Sequence, residues 1–194
     1  DNIGIGFMFA PNYHPAMKHV APVRKELKLR TIFNLLGPLT NPASAQNQIV
    51  GVYSKELTCV FAEVLKKLGS QHVLAVHGAD GMDEISITGK TYIAELKNGN
   101  INEYQFDPTE YGFNLGKIED IEVADIKGSK EMMLGILNGD KNTARDITIL
   151  NSGAALYVSG ICSDFESAFQ VSRKMIDEGH ALNKLNQLIK TSNE

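Results

Sequence analysis

Apolar positions recur along this chain with two different periods, and the changes of period mark out its elements. Residues 48–53, QIVGVY, form a short apolar run that predicts a buried strand. Beyond it, Leu57, Val60, Phe61, Val64, Leu65 and Leu68 recur at helical spacing, with Ser54 placed to cap the helix and Gly69 to end it. HVLAVHG (72–78) predicts a second apolar strand. A strand, a crossover helix and a strand in one sheet make a βαβ unit, in which the strands run parallel and the crossover is right-handed. Ligands of such sheets sit beyond the carboxyl ends of the strands, where the segment ADGMDE (79–84) begins.

The pattern then changes. ISITGKTYIAELKNGNINEYQFDP alternates in short runs broken at Gly89 and at Asn98-Gly99, which predicts antiparallel strands with tight turns. From Ser129 the spacing is helical, through SKEMMLGILNG, ITILNSGAALYVSG and an amphipathic stretch from Asp164 to Ile189. Upstream, residues His14 to Leu36 predict two short helices, because Pro15 and Pro22 each suit a first turn, where no backbone N–H is needed. Leu35-Leu36-Gly37-Pro38 predicts a helix stop. The expected fold is a single α/β domain over residues 1–194, with a mixed, largely parallel sheet flanked by helices and a C-terminal helical stretch. No repeat or linker marks a boundary inside it.

Composition narrows the function. The chain has 194 residues, 43% of them hydrophobic, enough for one core of ordinary size. Its net charge is -4 with both signs interspersed, so no face is built to track a phosphate backbone, and a nucleic-acid partner is not expected. The two cysteines, Cys59 and Cys162, have neither metal-ligand nor disulfide-framework spacing, which predicts a reducing, cytoplasmic compartment. No apolar run approaches the roughly 20 residues that span a bilayer, so no membrane partner is expected. Dinucleotide, P-loop and hydrolase readings lack an anchor, since G-x-G-x-x-G, G-x-x-x-x-G-K-[ST] and G-x-S-x-G are all missing.

Two groups of residues can carry chemistry. Arg24 falls in the first turn of the helix that Pro22 opens, where the unpaired N–H groups already make the field positive. A carboxylate or phosphate would relieve that clash through paired, charge-assisted bonds to the guanidinium; an ion pair with Glu26 would do so too. His14, beside the apolar or small residues Met17, Ala21 and Pro38, would frame with Arg24 a slot for a flat ligand carrying one negative group; a simple helix-entry role is the alternative. The second group is Asp83 and Glu84, with Asp80 just before them, after a parallel strand. Magnesium takes one or two carboxylates together with waters and substrate phosphates, so this pair suffices for it, although polar surface turns also look like this.

HPAMKHVAPVRKELKLRTIFNLLGPLTNP, the QIVGVYS strand, the DGMDE turn and ILNSGAALYVSG together resemble the second half of the anthranilate phosphoribosyltransferase family, over essentially the whole chain. The resemblance implies transfer of a phosphoribosyl group from phosphoribosyl pyrophosphate to anthranilate in tryptophan biosynthesis, with release of pyrophosphate and use of magnesium. It implies that Arg24 holds the anthranilate carboxylate, that His14, Met17 and Pro38 line the aromatic substrate's channel, and that Asp83 and Glu84 hold a magnesium ion on the diphosphate. No residue is assigned as a general acid or base. The family's small helical dimerisation domain, its glycine-rich GTGGD loop and its KHGN segment have no counterpart here, and the chain starts without methionine. The resemblance therefore implies a fragment: a truncated phosphoribosyltransferase/nucleoside phosphorylase-type α/β domain of a homodimeric parent, inactive when isolated. A pyrimidine nucleoside phosphorylase-like enzyme and a non-catalytic binding module on the same scaffold are the alternatives.

Overall fold

The computed structural model describes residues 3–6, 8, 10–13 and 33–193. They divide into two compact units: Asp1–Ala45 with Lys184–Glu194, and Gln46–Asn183.

The first unit contains helices α1 (Ala10–Tyr13) and α2 (Phe33–Leu39). Helix α2 continues through Gly37 and Pro38 to Leu39, so it ends three residues beyond the Leu36 that the LLGP signal suggests. A proline removes one N–H from its helix, and Thr40 closes the last turn beyond it: its N–H donates to Gly37 O (3.2 Å) and its hydroxyl to Leu36 O (2.8 Å). The helices expected from His14 onward lie, up to residue 32, outside the described residues. At the other end of the chain, Lys184 Nζ donates to Ile3 O (2.8 Å).

The second unit is built on strands β1 (Asn47–Gly51), β2 (His72–Gly78), β3 (Thr91–Lys97) and β4 (Asn100–Phe106), in the order β1-β2-β3-β4. The sheet is mixed, as the pattern predicts, but not largely parallel: β1 and β2 are parallel across their crossover helix, whereas β2–β3 and β3–β4, joined by short connections, are antiparallel. Helix α3 (Glu56–Lys67) makes the crossover of the expected βαβ unit. Val73, Leu74, Ala75 and Val76 of β2 are all fully buried, which explains why this strand reads as a continuous apolar run instead of an alternating one. Asn98 (φ 52°) and Gly99 (φ 76°) turn β3 into β4 in left-handed conformations, as the Asn-Gly pair predicts.

Helix α3 departs from its prediction in two details. It buries Thr58, Phe61, Ala62 and Leu65, while Val60 and Leu68 stay exposed, so its core face is rotated slightly from the purely apolar one. Lys55, already helical in φ and ψ, occupies the N-cap position, and no side chain caps this helix.

Helices α4 (Ile126–Leu137), α5 (Thr143–Val158) and α6 (Phe165–Asp177) complete this unit, and α7 (His180–Ser192) follows. Asp125, Asn142 and Asp164 cap α4, α5 and α6 by accepting from the N–H of Gly128 (2.7 Å), Arg145 (2.9 Å) and Ser167 (2.8 Å). The Asp125 cap starts α4 before Ser129, and Gly179 (φ 72°) separates α6 from α7 within the predicted amphipathic stretch. Gly153 lets α5 approach α6 closely, since a Cβ there would overlap the Phe169 ring. The core joins Leu74, Ile85, Ile87, Ile149, Leu150 and Phe169. No helix among the described residues is long and apolar enough to cross a membrane.

Candidate functional site at the carboxyl end of the parallel strands

Strand β2 ends at Gly78, and the chain reverses at once through 78–82. Gly78 N–H donates to Met82 O (2.8 Å) and Gly81 N–H to Gly78 O (2.9 Å). Asp80 is the hub of this turn. Its carboxylate accepts the hydroxyls of Ser86 and Thr88 and the N–H of Met82 (3.0 Å). Burial alone would raise the Asp80 pKa, but these bonds outweigh it and hold the carboxyl below its ordinary range. A Cβ on Gly78 would collide with the Asp80 side chain, which makes that glycine part of the same device.

Asp83 and Glu84 directly follow this turn, and both are exposed. The backbone beneath them is held tightly. A Cβ at Gly51, the last residue of β1, would overlap the Asp83 carbonyl, so the loop rests directly on the end of the neighbouring parallel strand. After Glu84, Ile85 and Ile87 are fully buried. The strand expected over ISIT does not form. Ile85 bonds by both backbone groups to the Asn151 side chain of α5, and Ser86 N–H donates to Thr91 Oγ1 (2.9 Å). Although Glu84 is exposed by surface area, the protein packed around it partly desolvates its carboxyl and raises the pKa, and the negative charges of Asp83 and Asp80 raise it further.

This arrangement suits a hard cation. Two carboxylates on adjacent residues, with a third close by, repel one another, and a bound cation reverses that repulsion. Among the described residues no group of three or more His, Cys, Asp and Glu side chains is placed to cage a metal. Two carboxylates suffice for magnesium, which completes its shell with water and phosphate oxygens. Nearby, His77 Nδ1 lies 2.8 Å from Val52 O, which fixes Nδ1 as the protonated ring nitrogen.

Of the other predicted site residues, Pro38 is half-buried in α2 of the first unit, and His14, Met17 and Arg24 lie outside the described residues. Sequence reasoning passed over Gly51 and Asn151. The available signal for Asn151 was a polar amide within the apolar run ITILNSGAALYV.

Fold and corner together define an α/β protein with a carboxylate-bearing turn at the carboxyl ends of two parallel strands, the usual ligand position of such sheets. Residues 1–182 match the model of the glycosyl transferase family, a/b domain, and the chain belongs to that family. It is 54% identical over 185 residues to the anthranilate phosphoribosyltransferase of Methylobacillus flagellatus, an alignment covering 95% of this chain and 54% of that protein. Among solved structures it matches the anthranilate phosphoribosyltransferase of Thermus thermophilus with a TM-score of 0.87 at 36% identity, over 96% of this chain and 55% of that one. It also matches the Saccharomyces cerevisiae anthranilate phosphoribosyltransferase in complex with PRPP and Mg, with a TM-score of 0.81 at 28% identity, over 91% of this chain and 51% of that one. The chain spans about half the length of the curated relatives it matches.

Proposed function

We propose that the protein to which this chain belongs transfers the phosphoribosyl group of phosphoribosyl pyrophosphate to anthranilate, releasing pyrophosphate in tryptophan biosynthesis. The observation that carries this reading is the Asp83–Glu84 corner, held at the carboxyl end of β2 in a chain so similar to anthranilate phosphoribosyltransferases. Asp83 and Glu84 would hold the ion, and a relative of the same fold solved with PRPP and Mg supports that choice of cation. Bound there, magnesium supplies positive charge to the departing diphosphate. Arg24 grips the anthranilate carboxylate through its two-pronged guanidinium, and His14, Met17 and Pro38 line the aromatic ring's channel. The grip holds a weakly basic amine in line with the sugar carbon, where positioning supplies much of the rate. A homodimer in the cytoplasm completes the proposal, and the compartment is supported by two cysteines that remain free thiols.

The test is phosphoribosyl anthranilate formation by the intact protein. Arg24→Ala is expected to raise the KM for anthranilate by about tenfold to a hundredfold, the loss of one charge-assisted pair of about 1.5–3 kcal/mol. Asp83→Asn with Glu84→Gln is expected to abolish the response of the rate to magnesium. Wild-type kinetics in both variants would remove the assignment.

A further inference from the structure

Asn151 lies on α5, 66 positions along the chain from the residue it grips. Its Oδ1 accepts the Ile85 N–H (2.9 Å) and its Nδ2 donates to the Ile85 carbonyl (2.9 Å). The second Nδ2 hydrogen goes to Ile147 O on its own helix (3.0 Å). Both hydrogens and the oxygen are thus engaged. The amide can face only one way, because a flip would set donor against donor and acceptor against acceptor at Ile85.

Ile85 directly follows Glu84. Its side chain is fully buried, and its buried N–H and C=O are served by this one side chain in place of a neighbouring strand. On the other side of the pair, the Asp83 carbonyl rests against Gly51. The two exposed carboxylates are therefore suspended between a strand end and a helix-borne amide.

We infer that Asn151 is a positioning residue, whose amide sets the direction in which Glu84, paired with Asp83, presents its carboxylate to a divalent cation. This rests on the magnesium reading of the corner given above. A neutral amide behind the ligands changes no charge at the site, so its influence is geometric. Partners behind metal ligands commonly alter metal affinity by about tenfold to a hundredfold.

The experiment titrates the intact protein with Mn2+ alone, followed by water-proton relaxation, in wild type, Asn151→Leu, Asn151→Asp and Asp83→Asn/Glu84→Gln. Thermal unfolding of each variant is measured in parallel. Asn151→Leu removes both bonds to Ile85 at similar volume and is expected to weaken Mn2+ binding by about tenfold or more. Asn151→Asp keeps the bond from Ile85 N–H and is expected to lose less. Should the leucine variant fail to fold, the aspartate variant decides alone. Folded Asn151 variants with lowered melting temperature and unchanged Mn2+ affinity would reduce Asn151 to a structural residue and overturn the inference, even while the Asp83/Glu84 variant loses binding. Wild-type Mn2+ affinity in the Asp83/Glu84 variant would overturn the magnesium reading, and this inference with it.

Discussion

At the residue scale, a dense polar network away from the acidic corner centres on Glu95 of β3, a residue only 9% exposed. Its carboxylate accepts the hydroxyls of Tyr157 (2.7 Å) and Tyr104 (3.0 Å) and lies 3.0 Å from His72 Nε2. Lys97 Nζ donates in turn to the Tyr157 oxygen (2.9 Å). Burial, reinforced by the Glu95 charge, pushes the Tyr104 hydroxyl far above its ordinary pKa and keeps it a donor. The lone carboxylate is tolerated because each oxygen has partners, and removing one is strongly unfavourable. Tyr157→Phe leaves the ring in place and is expected to destabilise the protein by about 1–3 kcal/mol. Urea unfolding should show a lower midpoint with an unchanged slope. None of this network follows from sequence period, since its members come from three strands and a helix.

At the element scale, the helix starts divide into charged and neutral caps. Asp164 has its pKa lowered first by the Ser167 N–H and then by the Ser163 and Ser167 hydroxyls. A depressed carboxyl pKa contributes stability above the unfolded-state value, and that contribution is lost as pH falls through the folded value. Asp164→Ala is therefore expected to destabilise at neutral pH and to approach wild type in acid. Asn142→Ala, at a cap without charge, should cost about 1 kcal/mol at either pH. Thermal unfolding of both variants across an acid-to-neutral series checks the contrast. The elements themselves were largely legible: the βαβ unit, the Asn98-Gly99 hairpin and the C-terminal helices all follow from period and turn chemistry. ISIT was misread because alternation records burial, and Ile85 and Ile87 are buried without pairing to a strand. The acidic pair was legible from its place after an apolar strand. Its supports, Gly51 and Asn151, were not, because contacts between distant segments leave no periodic trace.

At the scale of the molecule, the turn that bears Asp83 and Glu84 is no independent loop. Its anchors, Ile85 and Ile87, belong to the same buried cluster as Leu74 of the sheet, Ile149 and Leu150 of α5 and Phe169 of α6. Surface loops commonly open on their own, with far less free energy than global unfolding. A corner rooted in the central core lacks that option. During a slow temperature ramp, release of Mn2+ should coincide with the loss of far-ultraviolet circular dichroism; release at a clearly lower temperature would contradict the prediction. What the anchoring of Ile85 implies is an alarm wired to the foundations: on the proposed reading of the corner, its grip on a cation would last until the architecture fails, and then both would vanish at once.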